Sequence, residues 1–208
     1  MTIFYKIKTF FSFIKGVIFF RVSVLELLII YWYILFYKIE PWHITQLASA
    51  TSYQRFIMDK INNDNNIGRI IDFGGGLGFL GRRLKFSSYL CIDNDKNVIK
   101  CANQLRKYKD INFIYGDAKE FKFNIEFMAS TVIALNFLHH FGKDAVLNFI
   151  KKIISSYPNV EIIFDYNILN QSIVNELMND IERYGLKVTA NDDNDYNRTI
   201  YFIRKSNV

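Results

Sequence analysis

Cysteine and proline are scarce in this chain, which holds 2 of each among its 208 residues. Cys91 and Cys101 fall in a predicted strand and in the helix after it, and their spacing indicates neither a disulfide framework nor a metal site. We therefore expect two buried thiols in a reducing compartment, the cytoplasm. Charged residues are also few, at 22%, while 50% of the residues are hydrophobic, so the chain can form a sizeable core.

The sequence also lacks a dense basic surface. Its net charge is +6, and residues 1–40 carry half of it, because five basic residues there face only two acidic ones. A nucleic-acid-binding domain normally shows a denser basic face, so no nucleic acid is expected as a partner. A basic and apolar N-terminus is more typical of a segment that meets a membrane surface.

The N-terminal extension, residues 1–40, is apolar and predicted to be helical, but it has no long uncharged run. Its longest uncharged stretch is residues 27–37, which is shorter than the roughly 20 residues that cross a bilayer as a helix. No small-residue cleavage site follows it, as one would in a signal peptide. Two interpretations stay open: residues 1–40 lie on the inner face of a membrane, or they cap the catalytic domain. Residues 41–65 are predicted to form a helical connector.

Residues 66–208 alternate between short apolar strands and helices, which indicates a Rossmann-like α/β fold with a doubly wound, mostly parallel sheet. Strands are predicted at residues 69–73, 89–92, 112–115, 128–135 and 161–165, and helices at 79–85, 96–107, 143–157 and 172–184. Two further strands, at 187–190 and 199–204, flank a polar turn and predict an antiparallel C-terminal hairpin at the sheet edge.

A glycine-rich loop follows the first predicted strand. Asp72 lies near the end of that strand, and Gly74, Gly76 and Gly78 follow at alternate positions. Glycine allows a positive φ and lets a ligand approach the backbone, and ligands of open α/β sheets bind at the carboxyl ends of the strands. The loop alone does not identify the ligand, because residues 76–81 also fit the Gly-x-Gly-x-x-Gly fingerprint of nicotinamide-binding domains.

Three later landmarks favour one ligand class. Asp93 ends the second strand, where a carboxylate can accept hydrogen bonds from both hydroxyls of a ribose; Gly-Asp-Ala follows the third strand at residues 116–118, and Leu-His-His follows the fourth at residues 138–140. Together with the loop at residues 72–78, this series resembles the class I S-adenosylmethionine-dependent methyltransferases. The Leu-His-His segment is similar to that of many small-molecule members of the family.

The resemblance implies S-adenosylmethionine (SAM) as the cofactor and a set of residues that bind it. In that family the glycine loop lines the methionine part of the cofactor, and the acidic residue after the third strand holds the adenine amino group. The predicted cofactor-binding residues are Asp72, Gly74, Gly75, Gly76, Gly78, Asp93, Asn94, Asp117, Ala118 and Asn136.

The methyl acceptor is expected to be a small molecule, apolar or lipid-linked. The residues predicted to contact it mix aromatic and polar groups: Trp42, His43, Tyr53 and Tyr166. His139 and His140 are the candidate catalytic bases, because a hydroxyl or an acidic carbon needs a base and histidine titrates in the right range. Either histidine could instead cap a helix or pack beneath the cofactor. The methylated atom and the oligomeric state stay open.

Two functions from other classes fit parts of the same pattern. The first is a non-catalytic protein of the methyltransferase fold that acts as an interaction partner at a membrane. The second is a nicotinamide-dependent enzyme, which the glycine loop and Asp93 would also serve. The complete series of acidic residues and glycines argues against the first, and the acidic residue after the third strand argues against the second.

Overall fold

The computed structural model describes residues 24–40, 43, 51–64, 68–105, 110–123, 125–166, 171–193 and 198–205. Its strands are β1 (Arg69–Phe73), β2 (Ser88–Asp93), β3 (Ile111–Tyr115), β4 (Thr131–Ala134), β5 (Glu161–Asp165), β6 (Leu186–Asp193) and β7 (Arg198–Lys205). Its α-helices are α1 (Val24–Tyr37), α2 (Ser52–Asn63), α3 (Lys96–Gln104), α4 (Lys143–Ser156) and α5 (Gln171–Arg183). Short 3-10 helices span Ile125–Phe127 and Leu138–His140.

The seven strands form one mixed sheet in the order β3-β2-β1-β4-β5-β7-β6. Strands β1 to β5 are parallel, whereas β7 runs antiparallel to both β5 and β6. Strand β1 pairs with β2 on one side and with β4 on the other, so the strand order reverses there. In open α/β sheets this reversal opens a crevice at the carboxyl ends of the strands, where ligands bind.

Alternating side chains of the strands build a core on each face of the sheet. Ile70 of β1 packs on the face covered by α1, α2 and α3, and the next residue, Ile71, packs on the face covered by α4 and α5. This alternation follows from the two-residue period of a strand. The predicted doubly wound, mostly parallel fold is therefore confirmed, and so is the antiparallel C-terminal hairpin.

One predicted helix is wrong in the structure, and one predicted strand begins later than expected. Residues 79–85 form successive turns instead of an α-helix, and Gly81, whose propensity opposes helix formation, lies inside them, where a Cβ would come within 2.9 Å of the Tyr89 ring. Strand β4 begins at Thr131 and not at residue 128, because Met128 has a φ of 47°, in the left-handed region that no strand tolerates.

The described part of the predicted connector contains one helix, α2. Helix α2 begins at Ser52, after Thr51, whose backbone N–H donates to the Gln54 side chain as half of a capping box. Residues 41–42 and 44–50 of the predicted connector lie outside the described residues.

Helix α1 is apolar on both of its sides. Its inner side buries Leu27, Ile30 and Tyr33 against the domain. We define the outer face of α1 as its seven exposed apolar side chains, which are Leu25, Leu28, Tyr31, Trp32, Leu35, Phe36 and Tyr37. No helix within the described ranges is long and apolar enough to cross a membrane.

Candidate cofactor and acceptor site

A cleft of about 360 Å³ opens at the carboxyl ends of β1, β2 and β3. This volume falls in the usual range of small-molecule sites. The cleft is lined by Phe73, Gly74, Ile92, Asp93, Asn94, Gly116, Asp117, Ala118, Lys119, Phe137, His140 and Phe141. Five of the predicted cofactor-binding residues, at positions 74, 93, 94, 117 and 118, thus come together in one cavity.

The glycine loop needs glycine at its alternate positions. Gly74, Gly76 and Gly78 have φ angles of 71°, 58° and 73°, which side chains rarely adopt. Gly74 donates its backbone N–H to the Ile92 carbonyl at 2.8 Å, which ties the loop to the end of β2. A Cβ on Gly74 would lie 3.1 Å from the Phe137 ring, so a side chain there would press on the wall of the cleft.

Asp93 joins the loop to the N-terminus of α3. Its carboxylate accepts hydrogen bonds from the backbone N–H groups of Gly76, at 3.1 Å, and of Asp95, at 2.9 Å. Burial raises the pKa of the Asp93 carboxyl, and these backbone hydrogen bonds counteract that shift. A carboxylate fixed in this way faces the cleft with acceptor capacity to spare.

Asp72 lies beneath the loop and is almost fully buried, with 3% of its surface exposed. The Tyr89 hydroxyl donates a hydrogen bond of 2.6 Å to its Oδ2 atom. Desolvation raises the pKa of Asp72 to about 7, although the Tyr89 hydrogen bond opposes the shift. A Cβ on Gly75 would lie 2.4 Å from the Asp72 carboxylate, so Gly75 lets the loop pass over this group. Asp72 and Gly75 therefore support the loop from below.

Asp117 follows β3, lines the cleft and is exposed. Its Oδ1 atom accepts a hydrogen bond from the Lys119 backbone N–H at 2.8 Å, which holds the turn after β3. Gly116 donates its N–H to the Asp93 carbonyl at 3.0 Å, so the ends of β2 and β3 stay aligned. The two acidic residues therefore face one cavity from neighbouring strands.

The two histidines of the Leu-His-His segment lie side by side in the 3-10 helix after β4, with ring centroids 4.0 Å apart. His140 lines the cleft. Burial lowers the pKa of His139, and the neighbouring His140 lowers it further. The His139 imidazole is therefore neutral near pH 7 and can accept a proton.

Of the predicted acceptor-contacting residues, His43 packs directly on the glycine loop. A Cβ on Gly76 would lie 3.0 Å from the His43 Nδ1 atom, and burial lowers the pKa of His43 to about 4. Tyr166 is buried at the end of β5 and donates its hydroxyl to the Phe141 carbonyl at 3.2 Å. Trp42 lies outside the described residues.

Asn136 belongs to a polar network at the carboxyl ends of β4 and β5. It has a φ of 64°, and its Nδ2 atom donates to the Tyr53 hydroxyl at 2.9 Å. Its backbone N–H donates to Asp165 at 2.7 Å, and Arg198 donates to the side chains of both Asn136 and Asp165. Asp165 and Arg198 were not predicted as site residues. An acidic residue at the end of a buried strand could have identified Asp165, as it did Asp93, but no local pattern identifies Arg198.

The described residues hold no group of three or more histidine, cysteine, aspartate or glutamate side chains that could bind a metal ion. Both Cys91 and Cys101 are buried and free of disulfides.

The sequence matches no family model, and no curated protein is similar to it in sequence. Its fold, in contrast, is similar to that of solved methyltransferases. The magnesium protoporphyrin IX methyltransferase of Synechocystis PCC 6803, solved with bound SAM, has a TM-score of 0.60 at 16% identity, over 74% of this chain and 78% of that chain. The N-methyltransferase NodS of Bradyrhizobium japonicum WM9 has a TM-score of 0.57 at 10% identity, over 74% of this chain and 95% of that chain.

The human N-acetylserotonin methyltransferase, solved in complex with SAM, has a TM-score of 0.58 at 14% identity. The match covers 80% of this chain and 55% of that chain. At such low identities the similarity shows the fold, which is the predicted class I methyltransferase fold.

Proposed function

We propose that the protein transfers a methyl group from SAM to a small-molecule acceptor. The observation that carries the proposal is the cleft itself, in which Gly74, Asp93 and Asp117 meet at the carboxyl ends of three adjacent parallel strands. Similar folds bind SAM in the solved methyltransferases of Synechocystis and human. Most predicted cofactor-binding residues belong to this cleft or support its floor.

The described residues fit the proposed cofactor. Gly74 leaves the cleft open where a Cβ would meet the Phe137 ring. Asp93 would accept hydrogen bonds from the ribose hydroxyls, because backbone N–H groups already fix its carboxylate. Asp117 would accept from the adenine amino group, with Asn94 and Ala118 beside it in the lining.

The chain's own contribution to the chemistry is positioning and proton transfer. The bound cofactor would supply a methyl group on a positively charged sulfur, which is already electrophilic. The protein would align the acceptor with that group in a cavity walled by Phe137 and Phe141. His139, neutral near pH 7, or the cleft-lining His140 would take a proton from a hydroxyl or acidic-carbon acceptor.

The acceptor is proposed to be apolar or lipid-linked and to lie between the loop, α2 and the end of β5. His43, Tyr53 and Tyr166 support this assignment, because His43 packs on the loop at Gly76, Tyr53 belongs to α2 and Tyr166 follows β5. The mixture of rings and polar tips suits an aromatic or amphipathic molecule.

Calorimetry with SAM tests the proposal directly. We expect micromolar-range binding by the wild-type protein and at least a tenfold loss in Asp93→Ala and in Asp117→Ala, since each loses hydrogen bonds to a charged group. Asp59→Ala removes an exposed carboxylate from α2 and serves as the matched control. Absence of SAM binding by the folded protein would overturn the proposal. Binding of NADH would favour the nicotinamide-dependent enzyme. SAM binding without turnover on any acceptor would favour the non-catalytic interaction partner.

We further propose that residues 1–40 attach the protein to the inner face of a membrane. The outer face of α1 supports this, because exposed apolar side chains that are contiguous commonly mark an interaction surface. Four basic residues precede it in the sequence, Lys6, Lys8, Lys15 and Arg21, and such residues attract anionic lipids.

Co-sedimentation with lipid vesicles tests the membrane proposal. We expect the full chain to bind vesicles with anionic lipid more strongly than vesicles of phosphatidylcholine alone, and less strongly as salt rises. The double variant Trp32→Glu with Phe36→Glu should lose at least tenfold in partitioning, whereas Met128→Glu, at another exposed apolar residue, should not. A wild-type protein that leaves both vesicles unbound would instead favour the cap.

A further inference from the structure

Helix α3 lies beside α1, and all of its charged side chains are basic. They are Lys96 and Lys100, both exposed, and none of the nine residues of α3 is acidic. The single acidic residue of α1, Glu26, is buried and paired with Arg82. The outer sides of the two helices therefore present apolar and positively charged groups without an exposed carboxylate.

The two helices run antiparallel and contact each other. The Asn97 side chain, at the start of α3, donates from Nδ2 to the Tyr37 carbonyl, at the end of α1, over 3.0 Å. Tyr33, about one turn earlier in α1, lies beside Cys101 and Gln104 of α3. The contact thus runs along most of the length of α3.

The lysines of α3 form the row next to this contact. Lys96 and Lys100 each precede by one residue a residue that meets α1, and one residue corresponds to about 100° around a helix. Because both lysines are exposed, they border the outer face of α1. Apolar and aromatic side chains bordered by lysines are typical of surfaces that bind an anionic membrane.

This combined surface extends to the mouth of the cofactor cleft. Asp95 caps the N-terminus of α3 and directly follows Asn94, which lines the cleft. The Lys96 Nζ atom lies 4.9 Å from the ring centroid of Tyr115, which is 52% exposed and precedes the cleft-lining Gly116. A membrane held against α1 and α3 would therefore lie beside the opening of the cleft.

The distribution of charge favours lipid over a protein partner. The outer face of α1 carries no charged side chain, and Trp32 and Phe36 lie on it with their ring centroids 4.1 Å apart. Positive charges lie only at its border. A protein interface normally mixes polar groups with apolar ones over its whole area, whereas an amphipathic membrane surface separates the two.

We propose that α1 and α3 form one membrane-docking surface, in which Lys96 and Lys100 bind anionic lipid headgroups while the outer face of α1 enters the boundary of the acyl chains. The proposal rests on the proposed membrane attachment of residues 1–40 and extends it to the α/β domain. It also sets the orientation of that domain, with the mouth of the cofactor cleft beside the bilayer, so that the methyl acceptor is reached at the membrane.

Co-sedimentation of the full chain with vesicles of phosphatidylcholine and phosphatidylserine tests the role of α3. Lys96→Gln with Lys100→Gln should bind at least tenfold more weakly than wild type, because each lysine near an anionic surface contributes about fivefold. Lys187→Gln with Lys205→Gln is the matched control. It removes the same charge from exposed positions on β6 and β7, at the opposite edge of the sheet, where salt screens the lipid charge, so binding should change by no more than about twofold.

Labelling measures the orientation independently. Asn103 of α3 and Glu182 of α5 are both exposed, and α5 covers the opposite face of the sheet. Cys91 and Cys101 are buried, so a nitrobenzoxadiazole label reacts with a cysteine introduced at either exposed position. On anionic vesicles, aqueous dithionite should reduce the label of Asn103→Cys several-fold more slowly than in free solution, and the label of Glu182→Cys at an unchanged rate.

The outcomes separate this proposal from the earlier ones. Equal binding losses in the two lysine double variants, or equal dithionite rates for the two labels on vesicles, would overturn the docking surface and leave attachment through residues 1–40. A wild-type protein that binds no vesicle would overturn both membrane proposals, whereas SAM calorimetry on the same sample decides the methyltransferase. A wild-type dimer that Trp32→Glu with Phe36→Glu dissociates, without vesicle binding, would assign the surface to a second copy of the chain.

Discussion

At the scale of single residues, the Asp72 carboxyl is buried at a position that disfavours its charged form. The carboxyl is fully enclosed by β1, β2 and the glycine loop, and the Tyr89 hydroxyl is its hydrogen-bond donor. Its pKa of about 7 lies above the value of 3.8 for a solvated aspartate. The group is therefore largely protonated in the folded protein under mildly acidic conditions, when it is already ionised in the unfolded chain.

This difference predicts a pH-dependent stability. Between about pH 4 and pH 7 the folded state binds more protons than the unfolded state, so the free energy of unfolding falls as pH rises and levels off above pH 7. Asp72→Asn removes that contribution. We expect the stability of Asp72→Asn relative to wild type to rise by about 3 kcal/mol between pH 5 and pH 7.5, as measured by urea unfolding.

Tyr89→Phe provides the companion measurement. Its hydroxyl lowers the pKa of Asp72, so its removal should raise that pKa and extend the pH-dependent window above pH 7. A stability difference between Asp72→Asn and wild type that stays constant with pH would contradict the account of Asp72.

Among site residues, the sequence predicted those whose role is local. The alternating glycines at positions 74, 76 and 78 predict a loop with positive φ angles, and Asp93 is recognisable because it ends a buried strand. The Asn136 amide, predicted from the family resemblance to bind the cofactor, is held by Tyr53 and Arg198. Its cofactor-binding role stays a prediction. The direction of the Asn136 side chain depends on Tyr53 and Arg198, which lie 83 and 62 positions away, and local sequence patterns do not predict contacts over such separations.

At the scale of elements, α1 is joined to the glycine loop through a buried ion pair. Glu26 of α1 and Arg82, just after the loop, are 3.3 Å apart between Oε1 and Nη1, and each side chain is 8% exposed. Arg82 also donates from Nε to the Leu77 carbonyl, so the pair connects the helix to the backbone of the loop. The position of α1 is thus linked to the shape of the cofactor site.

Glu26→Ala should therefore be costly. It removes the carboxylate that faces a buried guanidinium, and such a loss typically costs about 3–5 kcal/mol. The double variant Glu26→Met with Arg82→Met replaces both charges by apolar side chains and should recover much of that stability. Urea unfolding of the single and double variants measures both effects; equal losses would show that the pair is not what stabilises the contact.

The elements were predicted best where apolar periodicity is strong. Strands β1 and β5 agree with the prediction to the residue, because continuous buried runs with clear ends specify them. Residues 79–85 were predicted wrongly, since their apolar spacing suits a helix while Gly78 and Gly81 favour turns. The N-terminal extension was predicted to be apolar and helical, but the ion pair that joins α1 to the domain links Glu26 and Arg82, which are 56 positions apart.

At the scale of the whole molecule, the two halves of the site differ in how they are built. The cofactor cleft comes from loops that follow β1, β2, β3 and β4 in chain order, so successive motifs mark it in the sequence. The proposed acceptor side includes Tyr53 and Asn136, whose hydrogen-bond network reaches Asp165 and Arg198 through the antiparallel pairing of β7 with β5. This is why the sequence indicates a cofactor class more clearly than an acceptor.

The same construction predicts how ligand binding should stabilise the folded chain. The cleft exists only in the folded state, so SAM at 100 times its dissociation constant should add about 2.7 kcal/mol to the free energy of unfolding. For a domain of this length that corresponds to a rise in Tm of roughly 5–10 °C, measurable by thermal unfolding followed by circular dichroism. Asp93→Ala, with at least tenfold weaker binding, should show at most about half of this rise at the same SAM concentration, because its carboxylate both fixes the loop at Gly76 and faces the cleft. A rise of equal size with NADH and none with SAM would assign the cleft to a nicotinamide cofactor, since both ligand classes need the glycine loop and Asp93 but only SAM is expected to use Asp117.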